Sequence, residues 1–525
     1  MRFQMNATTR LVLTTAAVAG LSCSPGGAGD WPQFRGLNCS GISAETQSLP
    51  ARFSNTENVQ WSESLDDGIG SPVVVDGRVF TSAIINPPAP ADDPFDTSEP
   101  KESDAAEPEG PTKVALYGFD AETGEKLWER VWETGELPEI HKTNSHASST
   151  PAADDERVYF YFSTLGMLCV DAQTGEDVWQ VDVPTPFTVF KWGAGMSPIL
   201  YDDLLIFCQD DDLSPAMYAW NKRTGELQWR DDRSDQCVNY SHPVINTTPE
   251  GDELVVAGTG MVIGYDPQTG RRKWHARVLL RNIKTTPVAH DGVIYISIQS
   301  GGITNQWIAS VDEWPGTGNK DGKITKDEIQ AFVGKDPVPE AFYQRTFDRG
   351  DINGDGALEG EEIDLAFLPQ GNEAGARFTE LGDAAAEQYI IAVRGGGEGD
   401  VTETHVLWKH PTKYTDHIVS PLVADDRMLL IKGGGIATCF ETSDGEPLWG
   451  PKRIDNGSQY FASPVLGDDK IYIAGDNGVV VVLKNSPELE ILETNDMGSS
   501  ILGTPAISNG RLYVRTRDGL FCLAE

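Results

Sequence analysis

The chain is built on a repeat. Asp120-Ala-Glu-Thr-Gly124-Glu-Lys-Leu-Trp128 returns as Asp171 through Gly175 to Trp179, as Asn221 through Gly225 to Trp229, and as Asp266 through Gly270 to Trp274. Glu441 through Gly445 to Trp449 is a worn copy, and Lys484 to Leu492 keeps the spacing without the glycine or the tryptophan. An alternating apolar run precedes each clear copy. The pattern predicts a strand, a tight turn with glycine at positive φ, and an outgoing strand whose tryptophan fills the gap to a neighbouring sheet. A second marker, a small residue before a proline, precedes each hairpin, at Pro72, Pro151, Pro198, Pro243, Pro287, Pro421, Pro464 and Pro505. Outside two long gaps these prolines recur every 41 to 47 residues, and the intact units run 28 to 31 residues from the proline to the Trp128-type position. Eight four-stranded units at that period predict an all-β fold, an eight-bladed β-propeller over residues 30–525. The last unit stops before its fourth strand, and Val59-Gln60-Trp61 stands upstream without a hairpin of its own. Strands from the two termini are therefore expected to close the ring, which removes exposed edges.

The two long units carry insertions. Residues 87–111, in the first, are rich in proline and acids, and such a stretch cannot bury a core; it reads as a disordered, solvated loop in blade one. The fifth unit runs 121 residues from Pro287 to Trp408, and residues 308–385 within it read as a small α-helical EF-hand pair. Asp351-Ile-Asn353-Gly-Asp355-Gly356-Ala357-Leu358-Glu359-Gly-Glu-Glu362 fits the twelve-residue calcium loop. Calcium is a hard cation that takes oxygens. Asp351, Asn353 and Asp355 offer side chains, Ala357 its carbonyl, Glu359 a contact through water, and Glu362 both carboxylate oxygens. Thirty-four residues upstream, Thr317 to Glu328 forms a partner loop that matches at Asn319, Asp321, Gly322 and Glu328, with Lys323 at the carbonyl position. Its first position is Thr317, which brings no charge. This loop is expected to bind more weakly, or to serve chiefly by pairing Ile324 with Leu358. The module is expected to stiffen blade five.

Lys and Arg number 41 against 80 Asp and Glu, a net charge of −39. A field of that sign repels phosphate backbones and excludes a nucleic-acid partner. Leu11 to Leu21 is apolar and too short to span a bilayer, and after Arg2 and Arg10 it reads as a secretory signal within residues 1–22. Cleavage is expected after Ala19, or before Cys23 with a lipid anchor there; that anchor is the one expected membrane attachment. Seven cysteines make no disulfide framework. Cys169, Cys439 and Cys522 fall at equivalent third-strand positions, which means core packing. A Cys208–Cys237 bridge stays open on sequence.

The A-x-D-x-x-T-G-x-x-x-W repeat resembles the pyrroloquinoline-quinone (PQQ) type propeller repeat, over residues 55 to 525 outside the insertions. Asp30-Trp31-Pro32-Gln33-Phe34-Arg35-Gly36 resembles the leader of secreted bacterial proteins of that kind. The family has two branches. One is the quinoprotein alcohol and glucose dehydrogenases; the other is the propeller lipoprotein of the outer-membrane assembly machine, which binds proteins without a cofactor. The first branch implies a quinone at the ring centre under a disulfide of adjacent cysteines, with an acid beside a calcium as base. This chain has no Cys-Cys pair, and no spacing marks such an acid. No catalytic or quinone-binding residue is assigned. The expectation is an exported, monomeric, non-catalytic propeller of the periplasm or cell envelope that binds a protein or envelope component, with calcium as its ion and PQQ disfavoured. The alternative is a divergent quinoprotein-type oxidoreductase using the central funnel, whose expected lining is His146, Trp192, Tyr240, His242, Lys284, His417 and Tyr460.

Overall fold

The computed structural model describes residues 29–89, 110–236, 239–258, 260–278, 284–299, 311–313, 316–334, 336–367, 388–413, 418–455 and 457–525. The expected signal segment with Ala19 and Cys23, most of the acidic loop, parts of the 308–385 insertion, Cys237 and His417 lie outside these residues. Within them, eight four-stranded antiparallel sheets follow one another along the chain. The first is Val73–Val75, Arg78–Ile85, Lys113–Asp120 and Lys126–Glu133. The eighth takes Ala506–Ser508, Arg511–Thr516 and Gly519–Leu523 from one end and Val59–Ser64 from the other. Val59 faces Leu523 and Ser64 faces Gly519, so the ring closes as the repeat predicts. The fourth sheet gains a short parallel partner, Gly399–Asp400, on its outer strand. Among the described residues no helix is long and apolar enough to cross a membrane.

The repeat motif is a staple between blades. Asp120 Oδ1 accepts hydrogen bonds from the Glu122 and Thr123 amides and from the Thr123 hydroxyl, which shapes the turn. Gly124 follows at φ +76°, a conformation open to glycine. Trp128 of blade one reaches over to the equivalent turn of blade two. Its Nε1 donates to Ala172 O at 3.0 Å, and a Cβ on Gly175 would stand 2.7 Å from its ring. Trp61, Trp179, Trp229 and Trp408 make the same bond to Ala121, Lys222, Pro267 and Thr442 of the following blade. Trp274 and Trp449 are the exceptions, with Nε1 buried and unpartnered. The blades that follow them lack the Thr-Gly turn: blade seven carries the worn Lys484–Leu492 copy, and blade five has no copy at all. Cys169, Cys439 and Cys522 are buried thiols on third strands, as packing predicts. Cys208 is a buried thiol as well.

The small residue of the second marker does more than make room. Seven of the eight are Ser or Thr, and their hydroxyls form a belt around the axis. The Ser71 amide donates to Thr150 Oγ1, Thr150 to Ser197 Oγ, Thr286 to Ser420 Oγ, Ser420 to Ser463 Oγ, Ser463 to Thr504 Oγ1, and Thr504 back to Ser71 Oγ. Each of these buried amides thereby gains a partner from the next blade. Blade four interrupts the belt with His242, so the small residue expected before Pro243 is not there.

The leader crosses the ring beside this belt. Trp31 pairs with Val74 of blade one, Pro32 O accepts from Ala153 of blade two, and Gln33 Oε1 accepts from Leu200 of blade three. Asn38 exchanges two bonds with Ile245 of blade four, and Gly41 and Ser43 pair with Leu466 of blade seven. Glu45 accepts from the Asn509 and Gly510 amides of blade eight. One short segment thus ties first strands from most of the circle.

Candidate functional site

A cavity of about 220 Å³ sits at the belt, lined in part by Phe34 of the leader, Trp192, Tyr240, His242 and Lys284. Ser71, Thr150, Ser197, Ser420, Ser463 and Thr504 complete its hydroxyl girdle. Four of the seven residues expected at the funnel are therefore there. Tyr460 turns away and donates to Asp455 at 2.5 Å. His146 lies beside Asp67 and not in the lining. His417 is outside the described residues. Phe34 was not anticipated; it stacks on His242 with centroids 4.5 Å apart. Lys284 Nζ stands 4.3 Å from the centre of the Trp192 ring. Burial, with Arg35 adding to it, lowers His242 to about 4, and its Nδ1 lies 3.3 Å from Thr286 Oγ1.

Burial also holds His146 down, to about 4, with Asp67 opposing. An unfolded histidine titrates near 6.5. Between those values the unfolded chain binds the extra proton, so this contribution to stability is whole above pH 6.5 and lost as pH falls towards 4. The expected loss is about 3 kcal/mol. Urea unfolding of the wild type and His146→Gln at pH 7 and pH 4 checks it: the variant should lose less on acidification. An equal loss in both chains would reject the assignment.

PQQ is the group that the resemblance to quinoprotein dehydrogenases implies at the ring centre. The residues do not fit the group: the described lining holds no carboxylate to serve as base, and the sequence has no adjacent cysteines to cover a quinone.

The inserted module lies between Val293–Gln299 and Gln388–Arg394 of blade five. Three helices are described, α1 (Lys326–Val333), α2 (Glu340–Gly350) and α3 (Glu361–Phe367). Two short strands join its loops, with Ile324 opposite Leu358 and both fully buried. In the second loop Asp351 accepts from the Gly354, Asp355 and Gly356 amides. Asn353 and Asp355 accept from the Asp355 and Ala357 amides. Glu362 reaches back to the Ile352, Asn353 and Glu359 amides, so its two oxygens straddle the loop. Glu359 and Asp355 face Lys323 Nζ of the first loop at 3.0 and 3.6 Å.

The first loop departs from the sequence expectation. Thr317 donates to Val311 O. Its place is taken by Asp312, whose two oxygens accept from the Asp321 and Gly322 amides as those of Asp351 do from Asp355 and Gly356. Asn319, Asp321 and Glu328 occupy positions equivalent to Asn353, Asp355 and Glu362. Asp312 is buried. A fixed-spacing motif passes over it because five extra residues separate it from Asn319. Among the described residues no three His, Cys, Asp or Glu side chains converge as a ready metal cluster. Both loops carry Asp, Asn and Glu side-chain oxygens turned onto their own amides.

The module also reaches the cavity. Phe342 and Phe332 meet Phe187 and Phe190, on the connection between blades two and three, at 5.3 and 5.7 Å. Asp211 and Asp212 pin that connection by accepting from the Phe187 and Val189 amides. Lys191 bonds Glu139 at 2.9 Å, and the Glu139 amide donates to Asp336 of the module. The next residues along the same connection, Trp192 to Gly195, line the cavity.

The chain is similar to known proteins. The family profile described as outer membrane protein assembly factor BamB matches residues 51–190 and 112–342, together more than half of the chain. The outer membrane protein assembly factor BamB of Yersinia pestis is 22% identical over 211 residues, 37% of this chain and 49% of that protein. A polyvinylalcohol dehydrogenase of a Pseudomonas species is 26% identical over 149 residues, 27% of this chain and 22% of that one. The chain thus spans about half the length of the first relative and about a fifth of the second. The crystal structure of BamB from Moraxella catarrhalis aligns with a TM-score of 0.49 at 13% identity, over 89% of this chain and 97% of that one. Repeat, ring and profile agree: the chain belongs to the family described as outer membrane protein assembly factor BamB, a PQQ-repeat β-propeller with relatives among assembly factors and dehydrogenases.

Proposed function

We propose that this chain is an exported, non-catalytic propeller that binds a protein or envelope component, and that its inserted module is an EF-hand pair holding calcium. The observation that carries the reading is the pair of loops. Asp351, Asn353, Asp355, Ala357, Glu359 and Glu362 supply one oxygen set, and Asn319, Asp321, the Lys323 carbonyl and Glu328 the other, on a shared two-stranded ribbon. The Yersinia relative is by name an assembly factor for outer membrane proteins, which supports a protein-binding role in the envelope. The dehydrogenase relative favours the second reading, a quinoprotein-type oxidoreductase; against it, the described cavity lining holds no carboxylate to act as base. Native mass spectrometry of the protein purified from its own cell envelope tests both. A mass equal to the chain cleaved after Ala19, or cleaved and lipidated at Cys23, with two calcium ions and a co-purifying polypeptide, is the expected result. A retained quinone mass overturns the non-catalytic reading, and a calcium-free chain overturns the EF-hand reading.

A further inference from the structure

Three arginines among the described residues are fully buried, and only one of them lacks compensation. Arg233 faces Asp210 through two bonds of 2.7 Å. Arg515 donates to the Thr516, Gly519 and Asp66 carbonyls, and Asp67, Asp66 and Asp518 lie near enough to act on its charge. Arg35, in the leader, makes one good bond, from Nη2 to Pro421 O at 2.6 Å, and one long contact with Ser40 O at 3.4 Å. Its Nε and Nη1 are buried with no partner, and among the described residues no carboxylate pairs with it. An isolated buried charge is among the most expensive groups a fold can hold. Burial lowers Arg35 only to about 10, so it stays cationic at neutral pH, and burial raises its neighbour Cys39 to about 12, so the thiol offers no counter-charge.

His242 stands beside it. This residue breaks the hydroxyl belt, its ring stacks on Phe34, and it is 6% exposed. Its Nδ1 lies 3.3 Å from Thr286 Oγ1, and its Nε2 is buried and unpartnered, so the tautomer with the proton on Nε2 holds a donor that has no acceptor. Arg35 acts on the His242 ring through its charge, and the two side chains together carry three buried orphan nitrogens where the leader meets the belt.

We propose that Arg35 and His242 form a receptor for a small monovalent anion, held between the leader and the hydroxyl belt, where His242 lines the cavity. The anion neutralises the guanidinium and accepts from Arg35 Nε and Nη1 and from His242 Nε2. The chemistry is shared by a free halide and by the carboxylate of an organic ligand whose body fills the cavity. This site is independent of the calcium loops.

The test uses the full chain with bromide as probe and methanesulfonate as the bulky control anion. At constant ionic strength, exchanging methanesulfonate for bromide at about thirty times the dissociation constant should raise the melting temperature by about 2 °C. Crystals soaked in sodium bromide should show an anomalous peak in hydrogen-bond contact with Arg35 Nε and Nη1. Arg35→Met should abolish the shift. Because that variant can fail to fold, His242→Ser, which restores the hydroxyl present in the other seven blades, is the second probe; it should fold and show a smaller shift. Adding acetate in place of bromide separates the sources: a larger shift with acetate assigns the site to a carboxylate ligand, and a smaller one assigns it to a halide. No anomalous peak, a peak without a differential melting shift (an adventitious ion only), or an undiminished shift in His242→Ser would each overturn the proposal.

Discussion

Replacing Asp210 by alanine should lower the unfolding free energy by about 3–5 kcal/mol, the loss typical when one partner of a buried ion pair is removed. Asp210 follows the second strand of blade three, Leu204–Gln209, and Arg233 follows its outer strand, Leu227–Asp232. Their bidentate pair is sealed from water, with Arg233 0% and Asp210 3% exposed. Arg233 Nη1 also donates to the Tyr265 hydroxyl, on the third strand of blade four, so the pair joins two blades. Burial opposes the charge on Arg233, but Asp210 overrides it and holds the guanidinium well above its ordinary value. Alanine would leave that charge with one neutral partner in a dry interior. Asp210→Ala combined with Arg233→Met removes the stranded charge and should recover most of the loss, since apolar replacement of a whole buried pair is often neutral. Urea unfolding of the two variants and the wild type reads this directly. A single-variant loss below about 1 kcal/mol would mean that water reaches the guanidinium, and the bidentate pair would then carry little of the interface.

The ring was legible because each unit buries the same face. A tryptophan that must meet the next blade, and a glycine that must let it approach, recur at fixed spacing, so Trp128 and Gly175 announce themselves together. The rule reports its own failures: Trp274 and Trp449 are spelled like the others, yet their Nε1 groups find no acceptor because the following blade has lost the turn. The belt was half legible. A small residue before proline was visible, but the hydroxyl that makes Ser71 or Thr504 a partner for the next blade has meaning only once the ring is closed. Leader contacts were not legible at all, since Arg35 meets Pro421 across 386 positions of sequence. His146 and Tyr460 show the opposite error. Their place in the repeat puts them at the funnel, but Asp67 and Asp455 offer nearer partners. Asp312 escaped because a motif of fixed length cannot follow a loop with residues added between its first and third oxygen-bearing positions.

That last residue sets the decisive test of the module. Glu362→Gln removes one of the two oxygens that close the second loop and should weaken its calcium affinity by on the order of 100-fold. Asp312→Ala should do the same to the first loop, and Thr317→Ala should leave both unchanged, because the threonine points to Val311 O and not into the loop. Calorimetric titration of the full chain resolves the two sites by stoichiometry: two for the wild type and Thr317→Ala, one tight site for either of the other variants. The consequence reaches beyond the module. Calcium at 100 times its dissociation constant adds about 2.7 kcal/mol per site to the folded form. α1 and α2 would pass that rigidity to Phe190 and Phe187, which they contact, and the same connection presents Trp192 to the cavity. Chelation of the wild type should therefore change tryptophan fluorescence, and Glu362→Gln should show a smaller change. If Asp312→Ala keeps two tight sites while Thr317→Ala loses one, the first loop is built on Thr317 and the detour through Asp312 is structural. If neither loop binds, the hydrogen-bonded loops are turns stabilised by their own amides, and the contact with Trp192 then only anchors the insertion to the ring.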